Sequence, residues 1–241
     1  MNILVTNDDG IGSEGLLLLV QALREQGRHS VYALAPDSNR SAVSQAISFM
    51  RDLQLKEVAQ DLWSCSGTPA DCVILAFMGV FPVVPDLVLS GINRGPNLGT
   101  DILYSGTAAG ARQGALYNVP SIALSLDAHT SFFWDSTVRF ISEHLDEFIA
   151  YWKTDTFLNI NLPNTPQGPA GMALSFPSRR LYHDTLTVFD APNGKRYCFV
   201  EPGAVETIPA AGSDYALVSQ NLASISLCAV HPVVVMQPTG Q

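Results

Sequence analysis

Apolar residues in the first half of the chain follow two alternating patterns: short unbroken runs, and longer stretches with an apolar residue every three or four positions. Runs at 2–6, 31–35, 86–89 and 121–126 predict buried strands, and the helical spacing between them predicts helices over 14–26, 68–78 and 107–118. This alternation is the signature of βαβ units, whose strands close a parallel sheet with helices on both faces. In the first helix Leu16, Leu19, Val20 and Leu23 share a face, Ser13 is placed to cap the start and Gly27 lies just past the end. A helix over 135–153, with Val138, Ile141, Leu145, Phe148 and Ile149 at helical spacing, and a strand over 157–162 complete the series.

From Pro163 the pattern changes to short strands with frequent Pro and Gly. Asn193-Gly194 between apolar runs at 186–189 and 196–200 predicts a β-hairpin. The expected class is therefore α/β: a mostly parallel sheet flanked by helices over 1–162, then a C-terminal antiparallel β extension over 163–241. The extension is expected to pack partly back on the core and to make oligomer contacts.

Composition narrows the function. With 47% apolar and 15% charged residues in 241, the chain is expected to fold compactly around a sizeable core. Thirteen Lys and Arg against 22 Asp and Glu, a net charge of −9, and no basic cluster argue against a nucleic-acid polymer as partner. A small phosphorylated ligand stays open if a metal supplies the positive charge. No apolar run approaches about 18 residues, and the chain opens directly on an apolar strand, so a cytoplasmic protein without membrane contact is expected. Cys65, Cys72, Cys198 and Cys228 lack zinc-site spacing and are expected to be reduced thiols.

Candidate chemistry lies where strands end. In open parallel sheets ligands bind at the carboxyl edge of the strands. Asn7-Asp8-Asp9-Gly10 places two adjacent carboxylates there with no basic neighbour in sequence. Such a pair needs a cation, a shared proton or strong hydrogen bonding, and hard oxygen ligands of this kind suit Mg²⁺ or Mn²⁺. Alternatively one of the two caps the following helix while the other faces solvent. Further loops at the same edge are Pro36-Asp37-Ser38-Asn39-Arg40-Ser41, the Ser90–Gly99 segment, and Tyr104-Ser105-Gly106-Thr107, which opens a helix. Backbone amides and hydroxyls at a helix start form an anion site without Lys or Arg. His29, His129, His144 and His183 lack paired partners in sequence. His231, in the divergent C-terminal stretch, is the one histidine that could approach the site, though a structural role is expected, and Trp63, Trp134 and Trp152 are expected in core or interface positions.

The motifs N-D-D-G at 7–10, A-P-D-x-N-R-S at 35–41, G-T-P-A-D at 67–71, P-D-L-V-L-S-G-I-N-R-G-P-N-L-G at 85–99 and Y-S-G-T-A at 104–108 resemble the SurE family, stationary-phase survival proteins that act as 5′/3′-nucleotidases. Weaker similarity runs through 158–163 and 212–216. The resemblance implies a Rossmann-like metallophosphatase core that assembles as a homodimer or homotetramer. It implies one divalent ion per subunit, Mg²⁺ or Mn²⁺, held by Asp8, Asp9, Ser41 and Asn93, with Asp8 and Asp9 as the catalytic pair and a phosphate pocket of Asn97, Ser105, Gly106 and Thr107. It implies hydrolysis of nucleoside 5′-monophosphates, extending to 3′-monophosphates and short polyphosphate. The alternative is a catalytically impaired nucleotide-binding or scaffold protein of the same fold. Departures from the family pattern at Gly12, Ser38, Ala42, Ser213 and Ser226-Leu227-Cys228-Ala229 leave the four metal ligands in place. The adjacent aspartates differ from the D-x-D spacing of aspartyl-phosphate enzymes, which favours attack by water. A dinucleotide-binding oxidoreductase fits poorly, because strand one leads into N-D-D-G-I-G in place of G-x-G-x-x-G.

Overall fold

A computed structural model describes residues 1–232. The chain opens with β1 (Asn2–Thr6), α1 (Glu14–Glu25) and β2 (Ser30–Pro36). β1 is buried on both faces, Ile3 and Val5 against one helical layer and Leu4 against the other, as the period of two requires. Next come β3 (Leu55–Ala59), β4 (Leu62–Cys65) and α2 (Pro69–Leu75). Thr68 and Asp71 close a reciprocal cap at the start of α2: the Asp71 amide donates to the Thr68 hydroxyl at 3.2 Å and the Thr68 amide to the Asp71 carboxylate at 2.8 Å. The helix expected over 68–78 ends as regular α-helix at Leu75 and runs into an irregular turn, Ala76–Val80, broken by Gly79 at φ +103°.

β5 (Leu87–Arg94), α3 (Gly106–Leu116), β6 (Ser121–Asp127), α4 (Trp134–Tyr151) and β7 (Thr156–Pro163) continue the alternation. β5 is longer than its apolar run: it carries on through Ser90 and Gly91 to Arg94, with a register shift against β6 between Ser90 and Asn93. The polar residues there pair as strand because they lie in the middle of the sheet, between β1 and β6.

Beyond β7 lie β8 (Met172–Ser175), β9 (Arg179–Tyr182), β10 (Thr185–Asp190), β11 (Arg196–Glu201), β12 (Val205–Ile208), α5 (Asp214–Ser219) and β13 (Ala223–Ala229). The main sheet has nine strands in the order β3-β4-β2-β1-β5-β6-β7-β13-β8. Six central strands, β4 to β7 in that order, are parallel, β3 is antiparallel at one edge, and β13 enters antiparallel to β7. The mostly parallel, helix-flanked sheet with antiparallel strand pairs is the class that the sequence pattern predicts. Two elements from beyond residue 163, β13 and β8, lengthen the main sheet, while β9 with β12 and β10 with β11 form separate two-stranded ribbons.

α1 and α4 pack on one face through Leu16, Leu19, Ile141, Leu145 and Phe148, and α2 and α3 cover the other. α3 lies close to the sheet because its inner face is small: a Cβ on Gly110 would come within 2.6 Å of Ser90 Oγ, and one on Gly114 within 2.5 Å of Ser121 Oγ. The chain leaves β1 toward β2 on one side and later returns to β5 on the other, so the strand order reverses between β1 and β5. That reversal opens a crevice at the carboxyl ends of the two strands.

Candidate active site

Asp8 and Asp9 leave β1 directly into this crevice. Their loop is braced by Asn7, whose amide donates to Gly10 O at 3.0 Å and to Ser13 Oγ at 2.6 Å while its carbonyl accepts the Gly10 amide at 3.1 Å. Gly10 takes φ +104°, a left-handed conformation that glycine adopts without strain. Ser13 stands at the N-cap position of α1, but its hydroxyl serves Asn7. Neither aspartate caps α1, which removes the structural alternative for the pair.

Asp8 is 4% exposed and lies against the start of α3. Thr107 donates its hydroxyl to Asp8 Oδ1 at 2.5 Å, and Gly106 packs on the Asp8 side chain. Burial pushes the Asp8 carboxyl up to about 6; the Thr107 hydroxyl opposes this, and the Asp9 charge adds to it. Asp9 is also raised by burial, against the Arg94 amide that donates to its Oδ2 at 3.2 Å. Among the described residues no guanidinium is bonded to either carboxylate: the Arg94 head group bonds Glu14 at 3.3 Å and that of Arg40 bonds Asp37 at 3.0 Å. A buried and an adjacent half-buried carboxyl group without a bonded cation are costly to ionise together.

Around them the other strand ends supply neutral oxygens. Ser41 is exposed on the loop after β2, where Arg40 donates its amide to Asp8 O at 2.7 Å and Asn39 Oδ1 accepts the Ser41 amide at 2.8 Å. Asn93, near the end of β5, turns its NH₂ onto Gly95 O at 2.9 Å. The donor set of Asp8, Asp9, Ser41 and Asn93 consists of hard oxygens with no thiolate or imidazole, which fits a hard divalent cation such as Mg²⁺ or Mn²⁺.

A cavity of about 530 Å³ opens beside this group, lined by Asp8, Ser41, Asn93, Asn97 and Ser105 on one side and by Asp101, Tyr104, Tyr182 and Asp184 on the other. Of the residues selected from sequence, Asp9 lies behind the Arg94 backbone and Gly106 and Thr107 lie against Asp8, so all eight gather at one place, five of them on the cavity wall. Asn97 is 7% exposed and rigidly held. Its amide donates to Asn161 Oδ1 at 2.7 Å, its NH₂ to Ser125 Oγ at 2.8 Å, and its carbonyl accepts from Asn159 at 2.8 Å and Asn161 at 3.1 Å. Ser105 caps α3 by accepting the Ala108 amide at 3.0 Å, which leaves its own hydroxyl proton and the first amides of α3 for an anion.

Other residues at the site are not among those selected from the sequence. Asn159 and Asn161 alternate within a strand otherwise buried and apolar, and two amides on one face of such a strand are the signal that points to a polar task. Asp214, fully buried, accepts the Gly99 amide at 2.7 Å and the Ser178 amide at 2.8 Å, tying the loop beyond Asn97 to the C-terminal residues. The G-T-P-A-D motif is structural: besides capping α2, Asp71 holds the Ser48 amide at 2.8 Å. His231 lies 3.6 Å from Asp155 near the amino end of β7, at the opposite sheet edge, and Trp134, the first residue of α4, is packed in the core. A second groove, about 480 Å³ between α1 and α4, contains none of the sequence-selected residues.

Fold and site together define a Rossmann-like α/β protein with an oxygen-rich pocket at its topological switch point. The family model described as Survival protein SurE matches residues 3–184. The chain is 39% identical over 232 residues to 5′-nucleotidase SurE of Thermosipho melanesiensis, covering 94% of this chain and 90% of that protein. It is 41% identical to 5′-nucleotidase SurE of Kosmotoga olearia, covering 94% and 91%. The crystal structure of the SurE protein from Aquifex aeolicus superposes with a TM-score of 0.83 at 32% identity, covering 97% of this chain and 95% of that one. The chain belongs to the SurE family.

Proposed function

We propose that this protein is a metal-dependent phosphomonoesterase that hydrolyses nucleoside 5′-monophosphates to nucleoside and phosphate. The observation that carries this reading is the pair of buried Asp8 and half-buried Asp9, with no cation bonded to it among the described residues, Asp8 lying at the start of α3 and lining a cavity large enough for a nucleotide. Relatives named 5′-nucleotidase support the reaction class. One divalent ion per subunit, Mg²⁺ or Mn²⁺, would be held by Asp8, Asp9, Ser41 and Asn93. Bound there, such an ion would supply charge withdrawal from the phosphoryl group and a lowered pKa for the attacking water.

The chain's own residues receive and orient the phosphate. The Ser105 hydroxyl, the amides of Gly106 and Thr107 and the free N–H of the Asn97 side chain supply donors for its oxygens, and the partial positive charge at the helix start favours the anion. Thr107 fixes one Asp8 oxygen and the Arg94 amide fixes one Asp9 oxygen, so the remaining lone pairs are presented in a set direction. Asn159 and Asn161 hold the Asn97 backbone so that its side chain meets the phosphate without reorganising.

The test is phosphate release from AMP by EDTA-treated protein, with and without added Mn²⁺ or Mg²⁺. Release only with metal, abolished in a folded Asp8→Asn variant, is the expected result; metal-independent release overturns the metal assignment, and no release with either ion overturns the enzymatic reading. Residues beyond β9 supply an assembly surface under the same proposal, with a second copy of this chain as the partner in a homodimer or homotetramer. The compartment that fits reduced, unpaired cysteines is the cytoplasm.

A further inference from the structure

Behind the turn that follows Asn97 lies a separate cavity of about 490 Å³. The short 3₁₀ turn Gly99–Leu103 divides it from the cavity beside Asp8: Asp101 lines the front, Ile102 and Leu103 line the rear, and the two cavities share no residue. The rear walls come from α3 through Arg112, from the segment Pro177–Arg179, and from the end of β13.

Two guanidinium groups line this cavity and no carboxylate does. Arg112 and Arg179 have no ion-pair partner among the described residues, whereas Arg28, Arg40, Arg94, Arg180 and Arg196 each bond an aspartate or glutamate. In a chain with 22 acidic and 13 basic residues, this wall reverses the prevailing sign. Asp214, close enough to act on Cys228, does not line the cavity, and its carboxylate is engaged by the amides of Gly99, Ser178 and Tyr215. Burial pushes the Cys228 thiol in the wall up to about 12, so it stays neutral.

Arg112 is half-buried and held in place. Its guanidinium lies over the Phe157 ring at 5.1 Å, and Nη1 donates to Gln45 Oε1 at 3.0 Å. Neither partner neutralises its charge, and most of its N–H donors are uncommitted among the described residues. A partly desolvated guanidinium of this kind gains from an oxyanion, which its planar fork binds through two parallel hydrogen bonds. Arg179, exposed, adds a second cation to the same cavity. Ile102, Leu103, Pro177 and Leu227 make much of the remaining wall apolar, which suits a ligand with an apolar body behind its anionic head.

We infer that this cavity is a second ligand site, taking a small organic anion whose carboxylate or phosphoryl head is held by Arg112 and Arg179 and whose apolar body lies against Ile102 and Leu227. It needs neither the metal nor the reaction proposed above.

The test titrates the full chain in low-salt Mg²⁺ buffer, by ligand-observed NMR, with hexanoate and with hexylphosphonate, whose C–P bond a phosphomonoesterase does not cleave. Acetate and hexanamide present the head and the tail alone. At least one of the two six-carbon anions is expected to bind with a Kd of about 1 mM or tighter, and the better one identifies the head group; acetate and hexanamide are expected to bind at least about fivefold more weakly. Arg112→Gln and Arg179→Gln are each expected to weaken binding at least about fivefold, the loss of one charge-assisted contact, with thermal melts to confirm folding. Should Arg112→Gln fail to fold, Arg179→Gln decides alone, because its side chain is exposed. A phosphonate seated on the metal would not respond to either arginine, so unchanged affinity in the folded variants overturns the site. Failure of both anions to bind, or equal binding of acetate or hexanamide, does the same.

Discussion

Gly106 stands so close to Asp8 that a Cβ on it would lie 2.7 Å from Asp8 Cβ and 2.8 Å from Asp8 Oδ2. Real Cβ atoms do not approach so near, so the glycine is what lets the start of α3 press on the first carboxylate. Gly106→Ala is expected to displace either the carboxylate or the helix start. The predicted cost is about 1–3 kcal/mol of stability, the usual range for overpacking a filled site, with a fall of at least about tenfold in kcat/KM for AMP. Chemical denaturation and steady-state kinetics on the same preparation check both; a variant with wild-type kinetics would show that the contact does not position the site.

Burial of Asp8 also sets a pH dependence for the metal-free protein. The native carboxyl keeps its proton up to about pH 6, while an unfolded aspartate releases it near 3.8. Between those values the native state holds the extra proton, so this group's contribution is most favourable below pH 3.8 and declines as pH rises, levelling off above about 6. The full loss is about 3 kcal/mol at 1.36 kcal/mol per pH unit. Asp8→Asn, which keeps the Thr107 hydrogen bond and carries no charge, is expected to gain about that much over the wild type at pH 8 in EDTA and nothing at pH 3.5. Urea unfolding of the two proteins at both pH values measures it, and equal stabilities at pH 8 would contradict the burial argument.

These two predictions use residues that were visible before the fold was known, and the reason is local. Asp8 lies in the loop directly after a double-buried strand and Gly106 opens a small-residue helix, elements whose patterns are unambiguous within a dozen residues. β3, exposed along its whole length, has no such pattern, so the edge hairpin with β4 left no readable trace. β13 alternates Ala and Ile with Ser, but nothing local to Ala223–Ala229 specifies antiparallel insertion beside β7, a pairing set by residues more than sixty positions earlier. The same limit hid Tyr182. It reaches the pocket through a hydrogen bond to a residue 81 positions away, and only the tertiary fold brings the two together.

Asn161 supplies a third test, on a residue that does not itself line the cavity. It is fully buried, accepts the Asn97 amide at 2.7 Å and donates to the Asn97 carbonyl at 3.1 Å. Asn161→Ala leaves that amide without its acceptor inside the protein, a cost of about 1–3 kcal/mol. Because Asn159 still donates to the same carbonyl, the Asn97 loop should loosen and not detach. The expected signature is a lower kcat for AMP together with unchanged Mn²⁺ affinity, since the four proposed metal ligands are untouched. Titration of Mn²⁺ by calorimetry beside the kinetics separates the two, and loss of metal binding would place Asn161 in a different role.

The hairpin of β10 and β11 makes the last prediction, about assembly. Every residue of both strands is exposed, and both faces are apolar: Leu186 pairs with Val200 on one, while Phe189 stacks on Tyr197 at 5.5 Å and on Phe199 at 5.8 Å on the other. A two-stranded ribbon alone in water is marginal at best, and an uncovered apolar patch of this kind marks an interaction surface. The proposed cover is another copy of this chain, which fits the hairpin's lack of any basic or acidic stripe: its ends carry one ion pair, Arg196 with Asp190 at 2.7 Å, and little other charge. Light scattering is expected to give a mass of at least twice 25.9 kDa for the wild type. Leu186→Asp combined with Val200→Asp should shift it toward the monomer, because two desolvated carboxylates facing one another across the strands would oppose association. A wild type that remains monomeric at high micromolar concentration, or a double variant with unaltered mass, would remove the hairpin as the contact between copies.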